Sequence, residues 1–135
     1  MGYHYSSKSS RNLSQCHPLI QQVFNRVIEI ADCTIITGFR NEQDQNEKYD
    51  TGRSEVQWPD SKHNFIPSLA IDAAPYPIDY DDRERITLFA GLVLGIASEM
   101  GIQLRWGGDW DRDWQVKDNK FDDLLHFELI GVTNG

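Results

Sequence analysis

Cysteine is nearly absent: Cys16 and Cys33 are the only two in 135 residues, too few for a disulfide scaffold. Cys33 lies in an apolar run and Cys16 just before a helix, which reads as two reduced thiols in a protein made in the cytosol. Positive charge is also short. Thirteen Lys and Arg against 21 Asp and Glu leave a net charge of −8 and a pI near 4.8, which argues against a general nucleic-acid binder, because that needs a basic face. A local basic pocket stays open. Long apolar runs are missing as well. The most apolar segment, residues 86–100, carries two glycines and is shorter than the ~20 residues a helix needs to cross a bilayer. The first residues, MGYHYSSKSSRN, lack the apolar stretch of a signal peptide. Met1-Gly2 is a poor myristoylation signal, followed as it is by Tyr3-His4 and no second anchor.

Nor is there a repeat or a low-complexity linker. Hydrophobic residues at 39% and charged residues at 25% are ordinary for a globular chain. The length suits one domain, residues 1–135, around one core. Residues 1–14 are a polar lead-in, loop or short helix. From Pro18, the apolar residues Ile20, Val23, Phe24, Val27, Ile28 and Ala31 recur at helical spacing. Cys33 to Thr37 is β-branched and short, a strand ended by Gly38. Glu42 to Tyr49 reads as a polar helix closed by Thr51-Gly52, and residues 53–68 as a loop with Pro59 and Pro67. Leu69 to Ala74 is the next strand, cut off by Pro75 and Pro77. Arg83 to Met100 is a helix apolar almost all round, expected to be buried and stopped by Gly101. Leu104 to Trp106 is a short strand, 109–123 an acidic loop, and His126 to Ile130 a last strand. Helices and short strands without βαβ alternation predict an α+β fold with a small, mostly antiparallel sheet.

His63, Asp72, Asp123 and His126 are odd for their positions. An unpaired carboxylate inside an apolar strand costs several kcal/mol or protonates, so Asp72 needs a partner. Strand alternation puts His126 and Glu128 on one face, and Phe127 and Leu129 on the other. A catalytic zinc accounts for these residue types: it takes three protein ligands from His and Asp/Glu and keeps a position for water, and a nearby carboxylate must accept that water's proton. Each residue also has a plainer use. A histidine near a loop can be a satisfied surface group, Asp72 can cap a turn or pair with an arginine, and the acidic run can be a solvated loop. Spacings such as Asp-x-x-His are too common to decide between them.

Several ordered blocks go further. Residues 61-SKH-63, 70-AID-72 and 123-DLLHFE-128 resemble the zinc peptidases of the M15 family, which has a Hedgehog/DD-peptidase-like fold. The blocks 61-SKHN, 67-PSLAIDAAPYP-77, 105-RWGGDW-110, 126-HFEL-129, 6-SSKSSRNLSQCHP-18 and 37-TGFRNEQDQNEKYDTGRS-54 resemble its phage endolysin branch, over nearly the whole chain. In one respect the chain departs from the family's common SxHxxGxAxD pattern. His63 and Asp72 are nine positions apart, with Pro67-Ser68 between them, a longer spacing that the endolysin branch tolerates.

The resemblance implies a single zinc peptidase domain with one Zn²⁺ held by His63, Asp72 and His126. It makes Asp123 the general base, with Asp122 the weaker competitor, and Arg40 the group that polarises the scissile carbonyl, unless Arg40 serves only as an ion-pair residue. Ser61, Glu128, Asp109 and Trp106 become candidate substrate or supporting residues, with Trp110, Gln45 and Tyr49 near the site. Plainer uses remain for these too: a turn for Ser61 and the core for the tryptophans. The implied reaction is hydrolysis of the L-Ala–D-Glu bond of the peptidoglycan stem peptide by zinc-activated water. The alternatives are a D,D-carboxypeptidase or dipeptidase with the same centre, a zinc-bearing binding domain without hydrolysis, and a metal-free scaffold. The expected enzyme is a monomer that binds no nucleic acid and inserts into no membrane. It is expected to accumulate in a host cytoplasm and to reach the wall through a holin-like pore.

Overall fold

The computed structural model describes residues 2–116 and 123–132. The polar lead-in forms a short helix, α1 (Ser7–Ser14), started by the Ser6 hydroxyl, which accepts the Ser9 N–H at 3.1 Å. Helix α2 (Pro18–Ile30) follows. Pro18 occupies the first turn, where its missing N–H costs nothing, and His17 Nδ1 accepts from Leu19 N–H at 3.1 Å. Strand β1 is Cys33–Thr37, and helix α3 is Glu42–Asp50, capped by Asn41. A single 3₁₀ turn, Lys62–Asn64, leads to strand β2, Ala70–Pro75. Helix α4 (Arg83–Glu99), strand β3 (Leu104–Gly107) and strand β4 (Asp123–Leu129) complete the described chain.

The strands make one sheet in the order β1-β2-β4-β3, every neighbouring pair antiparallel. This is the α+β arrangement that the pattern of elements predicted. Because side chains alternate across a strand, β2 and β4 each serve two faces. Ile71 and Phe127 point into the core with α2 and α4, where Phe127 meets Phe24 and Phe89 edge-on at ring-centroid distances of 5.8 and 6.5 Å. Asp72 and His126, paired across the two strands, share the opposite face. That face is where a site can form.

Two expectations are corrected. Helix α4 is not buried all round: Ile86, Phe89, Ala90, Val93 and Ala97 are buried, but Leu88 is 78% exposed. The sheet covers only one side of it. Strand β4 begins at Asp123, not at His126, because β3 reaches Gly107 and pairs it with Asp123. Glycine is needed there, since a Cβ on Gly107 would lie 2.1 Å from the Asp123 carbonyl oxygen. Among the described residues no helix is long and apolar enough to cross a membrane.

Candidate active site

The turn 61–64 sets His63. The Ser61 hydroxyl accepts the His63 N–H at 3.2 Å, and Asn64 Oδ1 accepts the Ser61 N–H at 3.0 Å, a reciprocal cap that fixes the turn. Ser61 thus acts as a capping serine, although it also lines the cleft described below. The His63 ring is buried, with Nδ1 2.8 Å from the carbonyl of Gly38. A carbonyl only accepts, so Nδ1 carries the hydrogen and Nε2 turns a lone pair toward Asp72 and His126. Gly38 sits hard against α1: a Cβ there would lie 2.2 Å from the Asn12 carbonyl oxygen. The long stretch between His63 and Asp72 is tied down by a bridge between Ser68 and Cys16, with His17 N–H donating to the Ser68 carbonyl at 2.9 Å and Ser68 N–H to that of Gln15 at 2.8 Å. Its extra length does not separate the two side chains.

His63 Nε2 lies 3.2 Å from Asp72 Oδ1 and 3.2 Å from His126 Nδ1, and His126 Nδ1 lies 3.4 Å from Asp72 Oδ1. Three donors about 2.0–2.1 Å from one tetrahedral zinc stand roughly 3.3 Å apart. The triangle therefore fits such an ion, and the donor chemistry is right as well: two imidazole nitrogens and one carboxylate oxygen, all buried. His126 Nε2 is engaged by Glu128 Oε1 at 2.8 Å, which leaves Nδ1 as its inward lone pair. Two lone pairs and a carboxylate facing one point call for a cation. Without a metal, a proton serves: His126 is raised to about 9, burial opposing while the bonds to Asp72 and Glu128 prevail. Burial also works against ionisation of Asp72, but its two imidazole neighbours, His63 first and then His126, hold it well below the usual carboxylate range.

Behind the triangle lies a second layer. Arg40 is buried and gives Nη2 to Asp72 Oδ2 at 3.1 Å and Nη1 to Gln45 Oε1 at 3.0 Å. Asp72 is thus left with Oδ1 for the triangle. Gln45, fully buried on an otherwise polar helix, also donates to Ser54 Oγ at 3.0 Å and to the Val56 carbonyl at 2.7 Å. A glutamine in a charged helix gives no sequence signal of such a role beyond its place one turn after the Asn41 cap. Glu128 accepts from Arg105 at 2.7 Å as well as meeting His126. Burial would raise the Glu128 pKa, but the bonds from His126 and then Arg105 hold it at about 2.

Asp123 stands at the rim, half-buried, with Oδ2 4.0 Å from His126 Nδ1, too far to complete the triangle. In a regular strand, residues three apart point to opposite faces. Here Phe127 pairs with Trp106 while Asp123 pairs with the very next residue, Gly107, so β4 bulges between them and Asp123 returns to the His126 side. Burial, then the negative charge of Asp72, raises its pKa, against the pull of His126, His63 and Arg40. Asp122 lies outside the described residues.

The cluster opens into a cleft of about 1190 Å³ lined by α3, the 52–56 loop, the 61–63 turn and the sheet. Trp110 forms part of its wall, its ring 5.4 Å from that of His126 and under the Arg105 guanidinium. Three expectations fail here. Trp106 is not a cleft wall: it is buried in the core and donates its indole N–H to the Leu124 carbonyl at 2.7 Å. Asp109 does not line the cleft either; its carboxylate accepts the N–H groups of Asp113 and Trp114 at 3.1 and 3.0 Å and shapes its own loop. Tyr49 is 40% exposed and outside the cleft lining.

A sheet face carrying a His-Asp-His triangle in an open cleft, on this α+β frame, is the arrangement that the resemblance of the sequence blocks implies. Residues 1–130 match the phage L-alanyl-D-glutamate peptidase family, and the chain belongs to it. It is 31% identical to the L-alanyl-D-glutamate peptidase of Escherichia phage T5, over 96% of this chain and all of that protein. It is 29% identical to the peptidoglycan L-alanyl-D-glutamate endopeptidase CwlK of Bacillus subtilis (strain 168), over 87% of this chain and 75% of that one. The fold is shared with the Serratia marcescens L-Ala D-Glu endopeptidase ChiX at a TM-score of 0.73 and 23% identity, covering 94% of this chain and 90% of that one.

Proposed function

We propose that the chain is a zinc-dependent endopeptidase that hydrolyses the L-Ala–D-Glu bond of the peptidoglycan stem peptide. The observation that carries the reading is the buried triangle of donors 3.2–3.4 Å apart, in a family whose relatives are named for that bond. His63, Asp72 and His126 would hold one Zn²⁺, which when bound supplies a Lewis acid and acidifies a coordinated water. The other steps belong to the chain. Asp123 accepts the proton of the attacking water as its oxygen bonds to the L-Ala carbonyl carbon, and passes it to the D-Glu nitrogen as the C–N bond breaks. Arg40, held by Gln45 and Asp72, fixes which Asp72 oxygen faces the triangle, and its charge favours the negative charge that develops on the carbonyl oxygen.

Glu128 orients His126 rather than touching substrate. Glu128→Gln is expected to weaken zinc binding about 10–100-fold, read by titration against a competing chelator; unchanged affinity would remove that role. The reaction itself is tested by digesting purified peptidoglycan and sequencing the products by mass spectrometry. New L-Ala carboxyl and D-Glu amino termini are expected. Release of D-Ala alone would move the chain to the carboxypeptidase reading.

A further inference from the structure

The chain carries a net charge of −8, yet the cleft is lined by five cations: Arg40, Lys48, Arg53, Lys62 and Arg105. Four have partners. Arg40 holds Asp72 and Gln45, and Arg53 reaches Glu47 and Thr51. Lys62 bonds the Leu129 carbonyl beside Glu128, and Arg105 bonds Glu128. Lys48 differs: among the described residues its ammonium has no hydrogen-bond or ion-pair partner. Asp44, one turn earlier on α3, and Glu47 beside it line the adjoining hollow without pairing with it. Burial, then the charges of Arg40 and Arg53, lowers the Lys48 pKa, while Asp72 and Asp123 work against them. An ammonium that faces the cleft beside Arg40 and Arg53 is better placed when an anion sits against it.

We propose that Lys48 binds the free carboxylate of the D-glutamyl residue on the leaving side of the scissile bond. The inference rests on the stem-peptide reading above. Glutamate has two carboxyl groups, and the chain continues through one of them. The other remains an anion unless it is amidated. On the alanyl side the carboxyl group is the scissile carbonyl itself, so an anion beside the bond comes only from the glutamyl side. Lys48 is therefore a specificity residue, one that separates stem peptides with a free glutamyl carboxylate from those with an amide there.

The test uses two synthetic stem peptides that differ only in that group, carboxylate or amide, with kcat and KM measured for the wild-type chain, Lys48→Met and Lys48→Arg. The wild type is expected to prefer the carboxylate about 10–100-fold in kcat/KM, the worth of a charge-assisted hydrogen bond. Lys48→Met is expected to bring the ratio toward unity, chiefly through KM for the carboxylate peptide, and Lys48→Arg to keep most of it. Among the described residues Lys48 makes no side-chain bond, so the thermal midpoint of each variant is expected to match the wild type. A wild-type ratio near unity overturns the inference, as does a Lys48→Met variant that keeps the ratio or loses both substrates equally. Wild-type chain that cleaves neither peptide nor intact peptidoglycan removes the stem-peptide reading itself, and Lys48 falls with it.

Discussion

Replacing Asp123 with asparagine is expected to lower kcat on stem peptide by about 10²–10⁴-fold, the usual contribution of a general base. Asparagine keeps the shape of the side chain and cannot take the proton. The position supports this size of effect. Asp123 lies beside the donor triangle without joining it, at 4.0 Å from His126 Nδ1, and it faces the cleft. Its raised pKa, caused first by burial and then by Asp72, makes it a stronger acceptor than an exposed aspartate. Because Asp123 is not a proposed ligand, zinc binding by the variant is expected to stay close to wild type. Steady-state kinetics and a zinc titration check the two halves together. A variant that cleaves at the wild-type rate takes Asp123 out of the mechanism, and one that loses zinc and activity alike makes it a ligand instead.

Removing zinc is expected to lower stability as well as activity. An ion that binds only the folded chain contributes about 2.7 kcal/mol at a free concentration a hundredfold above its Kd. For a domain of this size that is a shift in Tm on the order of ten degrees. Dialysis against a chelator should produce the drop and added Zn²⁺ should reverse it, with differential scanning calorimetry as the readout. His63→Ala should abolish the zinc-dependent shift, since it removes one of the two nitrogens from the triangle. The effect has a pH sign: both imidazoles must be neutral to ligate, so protons displace zinc as pH falls. A Tm that ignores zinc and chelator alike in the wild-type chain would sink the metal reading.

How much of this was legible in the sequence depended on how local each cause is. The stripe of α2 follows from residues three and four apart, so its helix and its buried face were visible at once. Asp72 stood out because a carboxylate in an apolar strand is expensive wherever that strand lies. The face shared by His126 and Glu128 follows from alternation alone, and the structure pairs them at 2.8 Å. Trp106 and Trp110 could not be told apart, because which one reaches the cleft depends on how β3 pairs with β4. The burial of α4 was overestimated for a similar reason: an apolar helix is covered only where a partner reaches it.

By itself the sequence determined the elements, the α+β class and the residue types able to form a site, since propensity, periodicity and the cost of a misplaced charge act over a few residues. Only the tertiary structure decided how these residues face one another. The bulge that returns Asp123 to the His126 side, the commitment of Arg40 to Asp72, and the ammonium of Lys48, without a partner among the described residues, each depend on groups far apart in the chain. Hydrogen bonds and charges act through space, and no spacing along the chain states in advance which partner each group will find.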